Sequence, residues 1–503
     1  MIVSGERWIS NAELAERAAR AATGLEELGM RRGDVIALLL RNDFAFFEAA
    51  SAAAILGALS VPINWHFGAD EVSYILSDSK AKVLVAHADL LPAISTAIPP
   101  GIRVLVVPTP PEIAEVYGSA PANAPKIMEW EELVSAHEPN LGSGVPILSG
   151  SIVYTSGTTG RPKGVRRDQN AEAAQSASRA VAHLFDFRGE ARTAITGPMY
   201  HSAINGYALG MAAAGADIWL MPRFGAEALL AMIERYRLTH LHLVPIMFVR
   251  LLKLPEEVRR SYDVSSIRHV VHGAAPCPPE VKRQMIDWWG PVINEYFGST
   301  ETRMISSCTA QEWLAHPGTV GRILPNTDVA ILDKDGKQVP AGSPGEIYAW
   351  NHAVEDFSYT NDSAKRAEVE RNGLITAGDV GFVDDDGFLF LCDRRRDMIN
   401  SGGVNIYPAE IEACLMEIDG VQDCAVFGIP DDEYGESVAA VLQVQPELSL
   451  EPAYVQQWVR ERLARYKAPK LVEFMTQLPR DDSGKIAKRR LRDPYWQNAN
   501  RQI

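Results

Sequence analysis

The sequence predicts a layered α/β fold in two domains, a large N-terminal one and a small C-terminal one. Three observations carry that prediction. At 503 residues the chain is too long for one hydrophobic core. Short apolar runs alternate with helical stretches, the pattern of a largely parallel sheet covered by helices. The alternation lapses into closely spaced turns between about Gly318 and Cys392, then resumes after DRRRDM (Asp393 to Met398).

Ser10-x-x-Glu13 is a capping box opening a helix that runs to a stop at Gly29. VIALLL (Val35 to Leu40) reads as a buried strand, Phe44 to Leu59 as an Ala-rich helix, and KVLVA (Lys82 to Ala86) as the next strand. SIV (Ser151 to Val153) reads as a strand entering a loop. RHVVHG (Arg268 to Gly273) follows as a strand and PPEVKRQMIDWW (Pro278 to Trp289) as a helix. Turn signals at KDG (Lys334 to Gly336) and DDDG (Asp384 to Gly387) separate short strands such as DVAIL and FLFLC, which predicts a small β-rich subdomain. Further on, PAEIEACLMEI and Pro452 to Leu463 read as helices, DCAVFGI and SVAAVLQV as strands of an independent unit. The boundary falls within Arg394 to Arg396, giving domains of residues 1–394 and 395–503.

Composition narrows the function classes. With 47% hydrophobic and 22% charged residues the chain is that of a soluble globular enzyme. The longest apolar runs, Ala49 to Ile63 and Leu209 to Pro222, are short and carry Pro62 or Asp217, so no transmembrane segment is expected. MIVSGERW has neither a basic start nor an apolar core, so it does not read as a secretion signal. Five cysteines without a C-x-x-C pair argue against a zinc site and a disulfide framework and fit a reducing cytoplasm. A net charge of −15 argues against nucleic acid as a partner. Between Arg460 and Arg492, however, eleven Lys/Arg stand against four Asp/Glu, a net of +7. That segment is either a solvated basic face or an approach to anionic groups.

YTSGTTGRPKG (Tyr154 to Gly164) is the most informative stretch. Gly157 and Gly160 let the backbone turn its N–H groups inward, Ser and Thr hydroxyls add donors, and Lys163 supplies positive charge for a polyphosphate. It is not a Walker A loop, because Pro162 precedes Lys163 and Gly164 follows it. PMYHS (Pro198 to Ser202) places His201 beside an aromatic residue. HGAAPCP (His272 to Pro278) follows a strand. NEYFGSTET (Asn294 to Thr302) sets an aromatic ring before a glycine, then a hydroxyl before a carboxylate, which suits stacking, phosphate and Mg²⁺. TAGDVG (Thr376 to Gly381) and PRDDSGKIAKRRL (Pro479 to Leu491) complete the series.

In this order the motifs resemble those of the adenylate-forming superfamily, which holds acyl-CoA synthetases, luciferases and peptide-synthetase adenylation domains. The match runs from about residue 10 to residue 492 and looks most like the bile-acid CoA ligase-like and fatty acyl-CoA ligase group. The resemblance implies a small C-terminal α+β domain that is mobile. It assigns Thr155, Ser156, Gly157, Thr158, Thr159, Gly160 and Lys163 to the ATP phosphates. It assigns Gly273, Ala274, Ala275 and Pro276 to adenine, and Glu295, Tyr296, Phe297, Gly298 and Ser299 to further nucleotide contacts. Phe297 stands where the family usually has tyrosine, so stacking survives and a hydroxyl contact is lost. Thr300 would meet the α-phosphate, Glu301 the Mg²⁺, Asp379 both ribose hydroxyls and Arg394 the nucleotide. His201 would line the carboxylate pocket, where the absence of an aspartate from PMYHS implies an acid without an α-amine. Gly402 and Gly403 would line the coenzyme A tunnel, Arg396 would be the hinge, and Lys485 would hold the incoming carboxylate against the α-phosphate.

The expected reaction is two-step. A carboxylate attacks the α-phosphate of MgATP to give acyl-AMP and pyrophosphate, and the thiol of coenzyme A then displaces AMP. A stand-alone enzyme loading a carrier protein shares every adenylation motif and differs only in the second acceptor. A homodimer is compatible with the sequence. The small residues of GYALGMAAAGA (Gly206 to Ala216) either open a pocket wall to a fatty, aryl or steroid acid or allow tight helix packing.

Overall fold

The computed structural model describes the chain except residues 120–127, 140–149, 156–161, 168–181, 188–189, 396, 403, 446–447, 449, 481–485 and 498–503. The first helix, Asn11–Glu27, starts where expected, because Ser10 Oγ accepts the Glu13 N–H at 3.0 Å. It packs on the helix Phe44–Leu56, which stops earlier than the sequence reading placed it. Gly57 takes a left-handed φ of 66° and ends the helix, so Leu59 already belongs to a strand. Val35–Leu39 is buried throughout and lies inside a four-stranded parallel sheet, between Leu59–Pro62 and Ala81–His87, with Arg103–Val107 at the far edge.

A second, larger sheet of fifteen strands among the described residues forms the centre. Its strands Asp217–Leu220, Arg192–Ile195, His240–Leu243, His269–His272 and Ile293–Ser299 run parallel. The direction reverses where Ile293–Ser299 meets Arg303–Cys308, and the register there shifts at Phe297/Gly298. Only glycine fits at 298, since a Cβ would fall 1.8 Å from the Arg303 carbonyl oxygen. The turn carrying Thr300 and Glu301 therefore hangs on a bulge at the switch from parallel to antiparallel pairing. The β-rich segment expected between Gly318 and Cys392 is present, but it is not a separate sheet: Thr319–Ile323, Phe388–Arg394, Asp379–Val383 and Gly345–Asn351 continue this one.

A third sheet pairs Val153–Thr155 with Lys163–Arg167, and Lys163–Arg167 with Phe357–Tyr359. The strand predicted at Ser151 to Val153 thus begins two residues later, and Lys163 and Gly164, expected in the loop, lie in the returning strand. Beyond Arg394, the last residue of the large sheet, a smaller mixed sheet begins at Ile399–Ser401. It is mostly antiparallel, with Leu471–Met475 added parallel to Gly435–Val444. The helices Pro408–Leu415 and Pro452–Arg462 close it over a core of its own, built on Ile399, Ile411, Val426, Leu442 and Val455. This is the small α+β unit.

Candidate active site

Five of the residues assigned to the phosphate loop, Ser156, Gly157, Thr158, Thr159 and Gly160, lie outside the described residues, as does the Thr155 side chain. The frame that holds the loop is described. Thr155 pairs with Lys163, so the antiparallel strands Val153–Thr155 and Lys163–Arg167 close the loop as a hairpin. Gly164 is fixed by crowding: a Cβ would meet Thr360 Oγ1 at 2.7 Å and the Tyr154 ring at 2.9 Å. Thr360 donates to the Gly164 carbonyl through its N–H at 2.8 Å and its hydroxyl at 3.1 Å. Lys163 Nζ lies 5.4 Å from the centroid of the Tyr359 ring and borders a cavity of about 260 Å³.

The Tyr359 hydroxyl donates to Glu301 Oε1 at 3.1 Å, which ties the hairpin side to the Thr300–Glu301 turn. Ser299 shapes that turn by accepting the N–H groups of Glu301 at 3.1 Å and Thr302 at 2.9 Å. Arg167 closes it from beneath, donating to the carbonyls of Glu301, Glu355 and, at 3.2 Å, Thr300. Burial, helped by the neighbouring Arg303, brings the Arg167 pKa down to about 9. Neither Tyr359 nor Arg167 was singled out from sequence. Arg167 carried a faint signal, because alternation along KGVRR puts it on the same face as the buried Val165.

Across the site, the parallel strands His269–His272 and Ile293–Ser299 form the wall expected for adenine. A Cβ on Gly273 would come within 2.8 Å of the Tyr296 ring and 2.9 Å of its carbonyl oxygen, so the turn needs glycine there. Ala274 holds a φ of 66°, a conformation costly for a side chain with a Cβ, and Ala275 and Pro276 complete the turn. Strand alternation sends Glu295 and Tyr296 to opposite faces. Glu295 Oε2 accepts from the fully buried Lys282 at 2.6 Å, with His272 Nε2 3.4 Å away. Tyr296 is half-buried, with its hydroxyl 3.0 Å from His242 Nε2 and its ring edge-on to Phe185. Any nucleotide contact from Glu295 therefore runs through its backbone. Phe297 is half-buried against the cluster around Ile305 and Val320.

Asp379 and Arg394 face each other across the ladder, with Arg394 Nε donating to Asp379 Oδ1 at 3.2 Å. The two expected nucleotide contacts are thus bonded to one another, the carboxylate more buried than the guanidinium.

His201 caps the helix Ser202–Ala213 through its carbonyl, and its ring lies 4.3 Å from Tyr200. Trp65 stands edge-on to Tyr200 at 4.6 Å. Asn42 and Asn205 pin this segment, since Met199 N–H donates to Asn42 Oδ1 and Asn205 Nδ2 donates to Met199 O, each at 2.9 Å. Of the two readings of the Gly/Ala run, packing accounts for Gly210, where a Cβ would lie 2.2 Å from the Phe187 ring. At Gly206, on the same helix, a Cβ would meet nothing within 4 Å among the described residues. In the small unit, Gly402 has a φ of 60° and donates its N–H to Tyr434 O at 2.7 Å. Gly403, the proposed hinge Arg396 and Lys485 lie outside the described residues.

Comparison with known proteins identifies the family. The chain matches the AMP-binding enzyme family over residues 1–355 and the AMP-binding enzyme C-terminal domain over residues 410–485. A feruloyl-CoA synthase of an Amycolatopsis species is 34% identical, covering 96% of this chain and 93% of its own. A long-chain-fatty-acid–CoA ligase of Mycobacterium tuberculosis is 33% identical, covering 96% and 92%. The crystal structure of an anthranilate CoA ligase in complex with anthranoyl-AMP superposes with a TM-score of 0.85 at 25% identity, covering 98% of this chain and 93% of that one. The protein belongs to the AMP-binding enzyme family, that is, to the adenylate-forming enzymes, and is an AMP-forming acid–thiol ligase.

Proposed function

We propose that this ligase activates a hydrophobic carboxylic acid, fatty, aryl or steroid-like, as acyl-AMP and passes the acyl group to coenzyme A. The observation that carries the reading is the link from Lys163 through Tyr359 to Glu301, which holds a cation, a phenol and a carboxylate at the mouth of the hairpin loop. In the first step a carboxylate oxygen of the acid attacks the α-phosphorus, and the bond to pyrophosphate breaks. Lys163 offsets the charge of the terminal phosphates, the Thr300 hydroxyl donates to the α-phosphate, and Lys485 aligns the incoming carboxylate. Asp379 accepts the ribose hydroxyls. In the second step the thiol sulfur of coenzyme A attacks the acyl carbon and AMP leaves, with the Gly402–Gly403 segment beside the pantetheine arm.

Mg²⁺ fits the donor set: Glu301 offers a hard carboxylate with one oxygen engaged by Tyr359, and Mg²⁺ in phosphate sites needs only one or two protein carboxylates. When bound it neutralises phosphate charge. The boundary between the adenylating and mobile domains is placed at 394/395, supported by the change of sheet between Arg394 and Ile399. We place the enzyme in a reducing cytoplasm, a reading supported by its five thiol cysteines.

Relatives acting on a long-chain acid and on ferulate support a bulky hydrophobic acid over a short one. Pyrophosphate release across acetate, fatty, aryl and steroidal acids tests this, and preference for acetate over every bulky acid defeats it. Thioester formation with coenzyme A, compared with a phosphopantetheinylated carrier protein, decides the acceptor. Transfer to the carrier alone would reassign the enzyme.

A further inference from the structure

We propose that Lys365 is a second phosphate-binding cation of this site, holding the terminal phosphates of ATP and the departing pyrophosphate together with Lys163. The proposal rests on the reading of Lys163 as a phosphate ligand and adds a residue that none of the nucleotide motifs contains.

Lys163 and Lys365 border the same cavity of about 260 Å³, and Tyr359 and Asp362 also line it. That volume is many times the space one water needs, so a solvated diphosphate can enter. Lys365 Nζ rests 2.8 Å from Asp362 Oδ2. This contact holds the Asp362 carboxyl below its ordinary range, and the charge of Lys163 acts in the same direction. Asp362 is thus paired with Lys365 and also feels the charge of Lys163 in the same cavity. A pyrophosphate carries more charge and more acceptor oxygens than Asp362, so it can draw Lys365 away from it. The long flexible stem of lysine permits that movement without a backbone change.

Asp362 keeps a separate task through its other oxygen. Oδ1 accepts the Lys365 N–H at 3.1 Å and caps the helix Ser363–Glu368, which fixes where the lysine starts. Tyr359 connects this end of the site to the reacting end, since its ring faces Lys163 and its hydroxyl reaches Glu301. The terminal phosphates would then lie between Lys163 and Lys365, with the α-phosphate toward Thr300 and Glu301.

Pyrophosphate–ATP exchange with the full-length enzyme and a saturating acid tests the assignment. Lys365→Ala should raise the KM for pyrophosphate about tenfold, the size of one charge-assisted hydrogen bond. The KM values for the acid and for coenzyme A should not move, and Lys365→Arg should restore most of the loss. Asp362→Asn keeps the helix cap but removes the competing charge, so it should lower the KM for pyrophosphate about threefold, an effect that loss of structure would not produce. An unchanged pyrophosphate KM in Lys365→Ala, or a rise shared equally by the acid, overturns the proposal. Lys163→Ala in the same assay separates the two ideas. If it raises the pyrophosphate KM while Lys365→Ala does not, Lys163 remains a phosphate ligand and only Lys365 is wrong. If neither variant moves it, the phosphate reading of this cavity fails as well.

Discussion

The Tyr359 phenol lies between the charged groups of the proposed phosphate site, its ring toward Lys163 and its hydroxyl on Glu301. Burial raises its pKa, and the Glu301 charge pushes the same way, so the hydroxyl stays a donor. Removing the Glu301 charge and removing its positioning bond should therefore have different sizes. Glu301→Gln should slow acyl-AMP formation about a hundredfold or more. Tyr359→Phe should slow it by no more than about tenfold, the worth of one hydrogen bond. Pyrophosphate release in the absence of coenzyme A measures both, and equal losses would mean that Tyr359 touches substrate itself. A second residue gives a pH test. Burial pulls the His242 pKa from 6.5 down to about 4, so the ring is neutral in the fold and the unfolded chain takes the proton first as pH falls. Stability is complete above pH 6.5 and is lost towards pH 4, by up to roughly 3 kcal/mol. His242→Gln retains a partner for Tyr296 and should flatten the melting temperature between those values. Asp393, raised to about 6 by burial, opposes the trend but is common to both proteins and cancels in the difference. An unchanged slope would acquit His242. Glu301 and Asp379 were legible because their neighbours in sequence form a recognisable run. Tyr359 and Arg167 were not, because they work across 58 and 133 residues of chain, where no local pattern records the contact.

Secondary elements show where local reasoning stops. The helix Asn11–Glu27 and the strand Val35–Leu39 were readable because capping and burial are local properties. The hairpin around the proposed phosphate loop is half legible: its apolar entry announces a strand, but Lys163 and Gly164, which pair with Thr155 and Tyr154, carry no apolar signal, and the next three residues pair with Phe357–Tyr359, nearly two hundred residues away. Non-local pairing likewise joined the β-rich segment to the large sheet instead of leaving it separate. The helix Ser202–Ala213 shows why composition alone left its glycines ambiguous, since two of them face different surroundings. Gly210→Ala should destabilise the fold by about 1–3 kcal/mol, because its methyl meets the Phe187 ring. Gly206→Ala, whose methyl meets none of the described residues within 4 Å, should stabilise the helix by roughly 0.5–1 kcal/mol. Denaturant unfolding of the two variants reads the difference directly, and a common sign would show that helix propensity or crowding, and not the two environments, controls both sites.

At the scale of the whole molecule, two units meet in the arrangement seen here. Asp393, in the last strand of the large sheet, accepts the Ala409 N–H at 2.9 Å, and Lys253 donates to Gln422 O at 2.7 Å. These bonds cross from the large unit to the small one, so any rotation of the small unit must break the Lys253 contact. The proposed reaction needs such a rotation, because Lys485 and the Gly402–Gly403 segment belong to the same small unit but serve different steps. The chain between Arg394 and Ile399 is the short connection that must absorb it. Within that connection Arg396 is the proposed pivot. A pivot needs freedom in φ and ψ, and proline fixes φ near −65°. Arg396→Pro should then leave acyl-AMP formation largely intact if the locked φ suits that conformation, while transfer to coenzyme A falls steeply. Pyrophosphate release reports the first step, and thioester formation from supplied acyl-AMP reports the second. A melting temperature close to that of the parent protein shows that the variant is folded. Normal thioester formation in that folded variant moves the pivot to another residue between the two sheets.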